Sequence, residues 1–148
     1  MAVLGSDPRL AAMLVSAKSD DEAATAAKIA AILEEPPRMG NCDLGVAFSR
    51  NQPAWQQRSQ QLLKRLNVRG GEADSSLIAP LLAGAYADRI ARRRGQDGRY
   101  QLANGMGAML DADDALSRHE WLIAPLLLQG SASPDARIYW RYRSISMN

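Results

Sequence analysis

Through the first two thirds of the chain, apolar side chains recur every three to four positions. From Arg99 onward they fall instead into short runs bounded by turn residues. Helices first and strands afterwards is the feature that most constrains the fold. Alternating βαβ units around a parallel sheet do not have that order, which leaves an α+β chain or two subdomains.

Asp7-Pro8 reads as an N-cap followed by proline at the first helical position, with Leu10, Met13, Leu14 and Ala17 on one face. Asp20 or Asp21 is expected to cap a second helix. Its stripe of Ala26, Ala27, Ile29, Ala30 and Leu33 runs to Pro36-Pro37, and so many alanines imply close helix packing. Asp43 caps a short helix in "DLGVAFS". Pro53 starts "PAWQQRSQQLLKRLN", which puts Trp55, Ser59, Leu62, Leu63 and Leu66 along one side and its glutamines and basic residues mostly outward. "VRGGEADSS" is a turn-rich break, after which Ser75 or Ser76 caps one long helix, "LIAPLLAGAYADRIARRR". There Pro80 sits near the first turn and Gly84 permits a close neighbour. "RYQLANG", "GAMLD", "HEWLIAPLLLQG" and "ARIYW" read as strands.

Composition closes off several classes of function. With 47% hydrophobic residues in 148, the chain can bury a core. "LIAPLLAGAYA" and "WLIAPLLL" are far shorter than the roughly 20 residues that span a bilayer, so a cytoplasmic protein without membrane partners is expected. One cysteine, Cys42, and one histidine cannot build a cysteine/histidine zinc site or an internal disulfide. Cys42 has no adjacent basic residue to activate it and reads as an ordinary thiol.

The net charge of +2 conceals a local excess. Residues 1–76 balance nine basic against nine acidic side chains, whereas 86–100 hold Arg89, Arg92, Arg93, Arg94 and Arg99 against Asp88 and Asp97. Such a patch suits phosphate, and equally suits cations that complement a helix C-terminus. Other chemistry is weak. Gly105-Met106-Gly107 lacks the third glycine of a dinucleotide loop, and no G-x-x-x-x-G-K-[ST] or DEAH motif is present to hold or hydrolyse a nucleoside triphosphate. Asp111, Asp113 and Asp114 lack the glycine and glutamate of a calcium loop and read as a solvated turn. His119 and Glu120 have no nucleophile or orienting partner by spacing. Trp55 and Trp121 could stack on bases but read as core.

The segments "LGSDPRLAAMLVSA", "AATAAKIAAILEEPP", "DLGVAFSRNQPAW", "SSLIAPLLAGAYADRIARRR" and "DGRYQLANGMGAML" together resemble the region that follows the motor domains of DEAH-related RNA helicases. The resemblance covers residues 2–138. It implies a ratchet-like helical bundle, taken here as residues 1–94, followed over 95–148 by an incomplete antiparallel OB-type β domain. It also implies that the bundle lines a channel for single-stranded RNA and that the β domain helps to hold the strand. The expected function is a non-catalytic accessory segment that binds single-stranded RNA or DNA non-specifically through Arg89, Arg92, Arg93, Arg94 and Arg99. ATP and magnesium would belong only to the motor of the parent helicase, with those motor domains as partners.

The alternative is a protein-docking module, or a remnant without function. After Ile138 the resemblance stops at "YWRYRSISMN", which reads as a tail translated out of frame. With the last strand so replaced, a β domain of three or four strands is expected not to close, leaving the edge of "WLIAPLLLQG" open to self-association.

Overall fold

The computed structural model describes residues 8–34, 43–50, 52–95, 98–110, 116, 119–129 and 136–143, the strand residues beyond Pro125 by their backbone alone. The chain forms two compact units, Met1–Ala85 and Tyr86–Asn148.

The first unit is helical: α1 Pro8–Val15, α2 Asp20–Glu34, α3 Leu44–Phe48, α4 Pro53–Arg65 and α5 Ile78–Ala85. Helix α2 is its axis, and α1, α3, α4 and α5 all pack on it. Ala26, Ala27, Ala30 and Ile29 are fully buried there, and side chains this small let neighbouring backbones approach closely. Helix α4 begins at Pro53, as expected, and buries only Trp55 and Leu62, so its glutamines face water.

Helix termini depart from the sequence reading in two places. Ser19, not Asp20 or Asp21, caps α2: its Oγ accepts the Glu22 N–H at 3.1 Å, while the Glu22 carboxylate accepts from the Lys18 N–H at 3.4 Å. This is close to the reciprocal Ser-x-x-Glu box. Asp43 caps α3 as expected, accepting the Gly45 N–H at 2.9 Å. Asp74, rather than Ser75 or Ser76, caps the 3-10 turn that leads into α5, because its Oδ1 accepts both the Ser76 N–H and the Ser76 hydroxyl at 2.9 Å.

The break before α5 is a packed strap. The Asp21 carboxylate accepts the Glu72 N–H at 2.9 Å, and buried Thr25 accepts the Asp74 N–H at 2.9 Å while donating to the Asp21 carbonyl at 2.7 Å. Gly71 makes the strap possible, with φ +91° and a backbone so near α2 that a Cβ would lie 2.4 Å from the Asp20 carbonyl oxygen. Gly84, by contrast, faces open space, and the close neighbour expected there is absent.

The long helix through Arg94 does not form. Helix α5 ends at Ala85, Ala87–Arg89 make a 3-10 turn, and the chain turns extended as β1 Ile90–Arg93. A helix would leave Ala91 on a polar turn. As a strand, β1 delivers it fully buried into a core with Tyr100, Leu102, Ala108, Leu110, Leu116, Leu122 and Ala124.

The second unit is a β-barrel built from β1, β2 Arg99–Leu102, β3 Gly107–Met109, β4 Trp121–Gln129 and β5 Ala136–Arg143. Helices followed by a mostly antiparallel sheet is the α+β class expected. The order around the ring is β1-β2-β3-β5-β4, antiparallel except for the β3–β5 pair. It differs from expectation in being closed. Residues 139–143 of the atypical tail lie within β5, which pairs with both β4 and β3. Strand β4 therefore has β1 beside residues 121–123 and β5 beside residues 122–129, so the edge of "WLIAPLLLQG" that a missing last strand would leave open is covered by β5. Pro125, which cannot donate to the ladder, sits where the β4–β5 register shifts between Ile123 and Leu126.

Candidate nucleic-acid interface

The five arginines were expected as one cluster; strand geometry divides them. Arg92 pairs with Gln101 of β2 on one side and with Trp121 of β4 on the other. The Arg94 N–H donates to the Arg99 carbonyl at 2.7 Å, which extends the same ladder by one step and sets Arg94 opposite Arg99. Residues two apart on a strand share a face. Arg92, Arg94, Arg99 and Gln101 thus share the outer face of the barrel, opposite the face on which Ala91, Tyr100 and Leu102 are buried.

Arg93 alternates to the other side of β1, and Arg89 lies in the 3-10 turn, 3.8 Å from the Asp88 carboxylate. Neither joins that face.

The β1–β2 turn shapes a cleft. Gly95 and Gly98, which flank the turn, have φ of +84° and +74°, conformations that β-carbon-bearing residues rarely hold. Arg94, Gly95, Arg99, Tyr100 and Gly107 line a surface cleft of about 660 Å³. Among the described residues, its charged lining residues are Arg94 and Arg99. The cleft floor is held from beneath by Tyr100, whose buried hydroxyl lies 2.7 Å from the His119 carbonyl and 3.0 Å from that of Leu116.

Arg92 has a different setting. Its guanidinium sits 5.5 Å from the Trp121 ring centroid and 3.6 Å from the Glu120 carboxylate. Arg92 and Glu120 are 64% and 59% exposed, so water screens the ion pair and it holds the arginine only loosely. Trp121 is half-buried on the outer face rather than in the core as its apolar context suggested, whereas Trp55 is buried in the helical unit as expected. The signal that places Trp121 is its cross-strand partner Arg92, and register of that kind is not written in a single strand's own sequence.

The remaining candidates carry less. His119 is tied by its backbone to Leu116 and Tyr100, consistent with its reading as a strand-edge residue. Gly105-Met106-Gly107 is the β2–β3 turn and the start of β3: Gly105 has φ +92°, and the Asn104 side chain accepts the Met106 N–H at 3.0 Å. Cys42, Asp97, Asp111, Asp113 and Asp114 lie outside the described residues. Among the described residues no group of acidic, histidine or cysteine side chains could hold a metal ion, and no helix is long and apolar enough to cross a membrane.

In the helical unit, Arg58 grips Glu34 through Nε at 2.8 Å and Nη2 at 3.4 Å, joining α4 to α2 at the edge of a cleft of about 350 Å³. Hydrogen bonding to Glu34 raises the Arg58 pKa further above its usual value. Among its described lining residues that cleft pairs one cation with one anion.

No family model matches the chain. Over 138 residues, or 93% of its length, the sequence is 96% identical to the ATP-dependent RNA helicase HrpB of Escherichia coli strain K12. The fold superposes with a TM-score of 0.92 on a crystal structure of the E. coli DExH-box NTPase HrpB, at 91% identity over 97% of this chain and 18% of that one. A second crystal structure, of the E. coli DEAH/RHA helicase HrpB, gives 0.91 at 85% identity, over 99% of this chain and again 18% of the other. In sequence and in fold the chain is thus similar to a stretch of a DEAH-related RNA helicase, as the resemblance implied. The helicase it resembles is HrpB, and the chain spans only 17% of that relative's length.

Proposed function

We propose that this segment is an accessory part of an HrpB-type helicase which binds single-stranded nucleic acid without base specificity and contributes no nucleotide hydrolysis of its own. The observation that carries the reading is the Arg94–Arg99 cleft. Arg94 and Arg99 stand opposite each other on β1 and β2, line one cleft on an exposed barrel face, and have no carboxylate beside them among the described lining residues. Such a pair suits phosphodiester oxygens, which accept charge-assisted hydrogen bonds from guanidinium forks. Contacts to the backbone position a strand and leave its sequence unread. The relatives' name, an ATP-dependent RNA helicase, makes RNA the natural strand, and the rest of the helicase would supply the motor on which this segment acts.

Anisotropy of a labelled 12-nucleotide single-stranded RNA across a salt series tests this. Each phosphate contact to a single strand contributes about 0.7 to the slope of log affinity against log salt. Changing Arg94 and Arg99 together to alanine should therefore flatten the slope by roughly 1.4. Changing Arg89 to alanine, a residue off that face, should leave the slope as it is. Salt-independent binding, or a slope that ignores both cleft arginines, would assign the surface to protein docking instead.

A further inference from the structure

The phosphate cleft accounts for Arg94 and Arg99 but not for what lies beside it on the same face. One step along the barrel, the register brings Trp121, Arg92 and Gln101 into a row across β4, β1 and β2. Opposite Gln101 the next strand offers Gly107, which adds no side chain to the row. The row combines a half-exposed indole, a guanidinium 5.5 Å from that ring and an exposed amide. It lies two residue steps along the strands from the Arg94–Arg99 pair, or roughly 7 Å at about 3.3 Å per residue. That is the reach of a single nucleotide from base to phosphate.

We propose that the Trp121–Arg92–Gln101 row seats one unpaired base of the strand whose phosphate lies between Arg94 and Arg99. The inference rests on the phosphate reading above and adds base contact to it. An indole and the flat guanidinium beside it both present faces on which any base can stack, so affinity would rise without sequence preference. The Gln101 amide, with a donor and an acceptor, can meet the edge of either a purine or a pyrimidine. The Glu120 carboxylate, 3.6 Å from Arg92, opposes the approach of a second phosphate there. This face therefore has one seat for phosphate and a separate one for a base.

The same chemistry would accept a free mononucleotide, and the test separates the two sources. Three probes are titrated at one fixed low salt: oligo-uridine of 12 nucleotides, a 12-unit abasic phosphodiester of equal charge, and uridine monophosphate. The uridine strand should bind about tenfold more tightly than the abasic strand. Trp121→Leu, which keeps apolar bulk but removes the ring, should erase that difference and leave the abasic affinity unchanged. Gln101→Ala serves as the second variant if the first proves unfolded by circular dichroism, and should shrink the difference by about threefold. Uridine monophosphate should compete only at concentrations at least a hundredfold higher than the strand.

Equal binding of the uridine and abasic strands overturns the base seat while leaving the phosphate cleft standing. Failure of both strands to bind removes both readings. Tight binding of the mononucleotide alone overturns the strand in favour of a free nucleotide.

Discussion

Gly71 is the residue whose replacement the helical unit tolerates least. An added Cβ would run into the Asp20 carbonyl, and φ of +91° is itself costly for a residue with a side chain. Gly71→Ala should lower stability by about 2–4 kcal/mol, read as a shift of the urea midpoint at constant slope. Tyr100→Phe removes the hydroxyl that ties the Leu116 and His119 carbonyls to the barrel, and should cost about 1–2 kcal/mol in the same measurement. Asp74 gives a pH signature. Hydrogen bonds from the Ser76 backbone and side chain hold its carboxyl below the ordinary range. A depressed folded-state pKa contributes stability that is present at neutral pH and is lost as pH falls through the carboxylate range. The gap in thermal midpoint between the natural chain and Asp74→Asn should accordingly be present at pH 7 and close on acidification through and below the ordinary carboxylate range. At this scale the sequence was readable at Asp43, which caps its own helix, and misread at Asp74, where the neighbouring Ser75 and Ser76 are equally good caps. It was misread by one position at Ser19, because Ser, Asp and Asp stand in succession and any of them can cap.

Elements were most legible where one period runs undisturbed. Helix α2 announces itself by alanines at helical spacing, and their burial makes it intolerant of bulk. Ala27→Leu should overpack its contacts with the surrounding helices and cost about 1–3 kcal/mol, again from urea unfolding. The boundary between α5 and β1 was not legible. "YADRIARRR" has good helix formers and no glycine or proline to stop them. Propensity lost there to tertiary structure, because Ala91 completes the barrel core and Arg92 completes a row with residues 9 and 29 positions further on. The same blindness hid the role of the tail: "YWRYR" alternates as a strand should, but its partners lie in β4, with β5 reaching β3 as well, and no local pattern names them.

For the molecule as a whole, order of class came from the sequence and closure came from pairing. Helices then strands was legible from periodicity alone. That the sheet joins its own ends was not, since a ring is a property of five strands together. The candidate site was legible to the same degree: charge density pointed to residues 89–99, but only the register could divide them between one face and the rest.

The way the ring closes bears on how the chain emerges from a ribosome. Residues Met1–Ala85 form a compact unit of their own, so the helical unit can fold while later residues are still being added. The barrel has no such freedom, because β5 supplies the second neighbour of both β3 and β4 and is synthesised last of the five. Until residue 136 is out, a folded bundle trails a four-stranded sheet with two unsatisfied rims, one of them the apolar "WLIAPLLL". A pause or premature stop in that interval would yield a nascent chain fit for a chaperone or a protease.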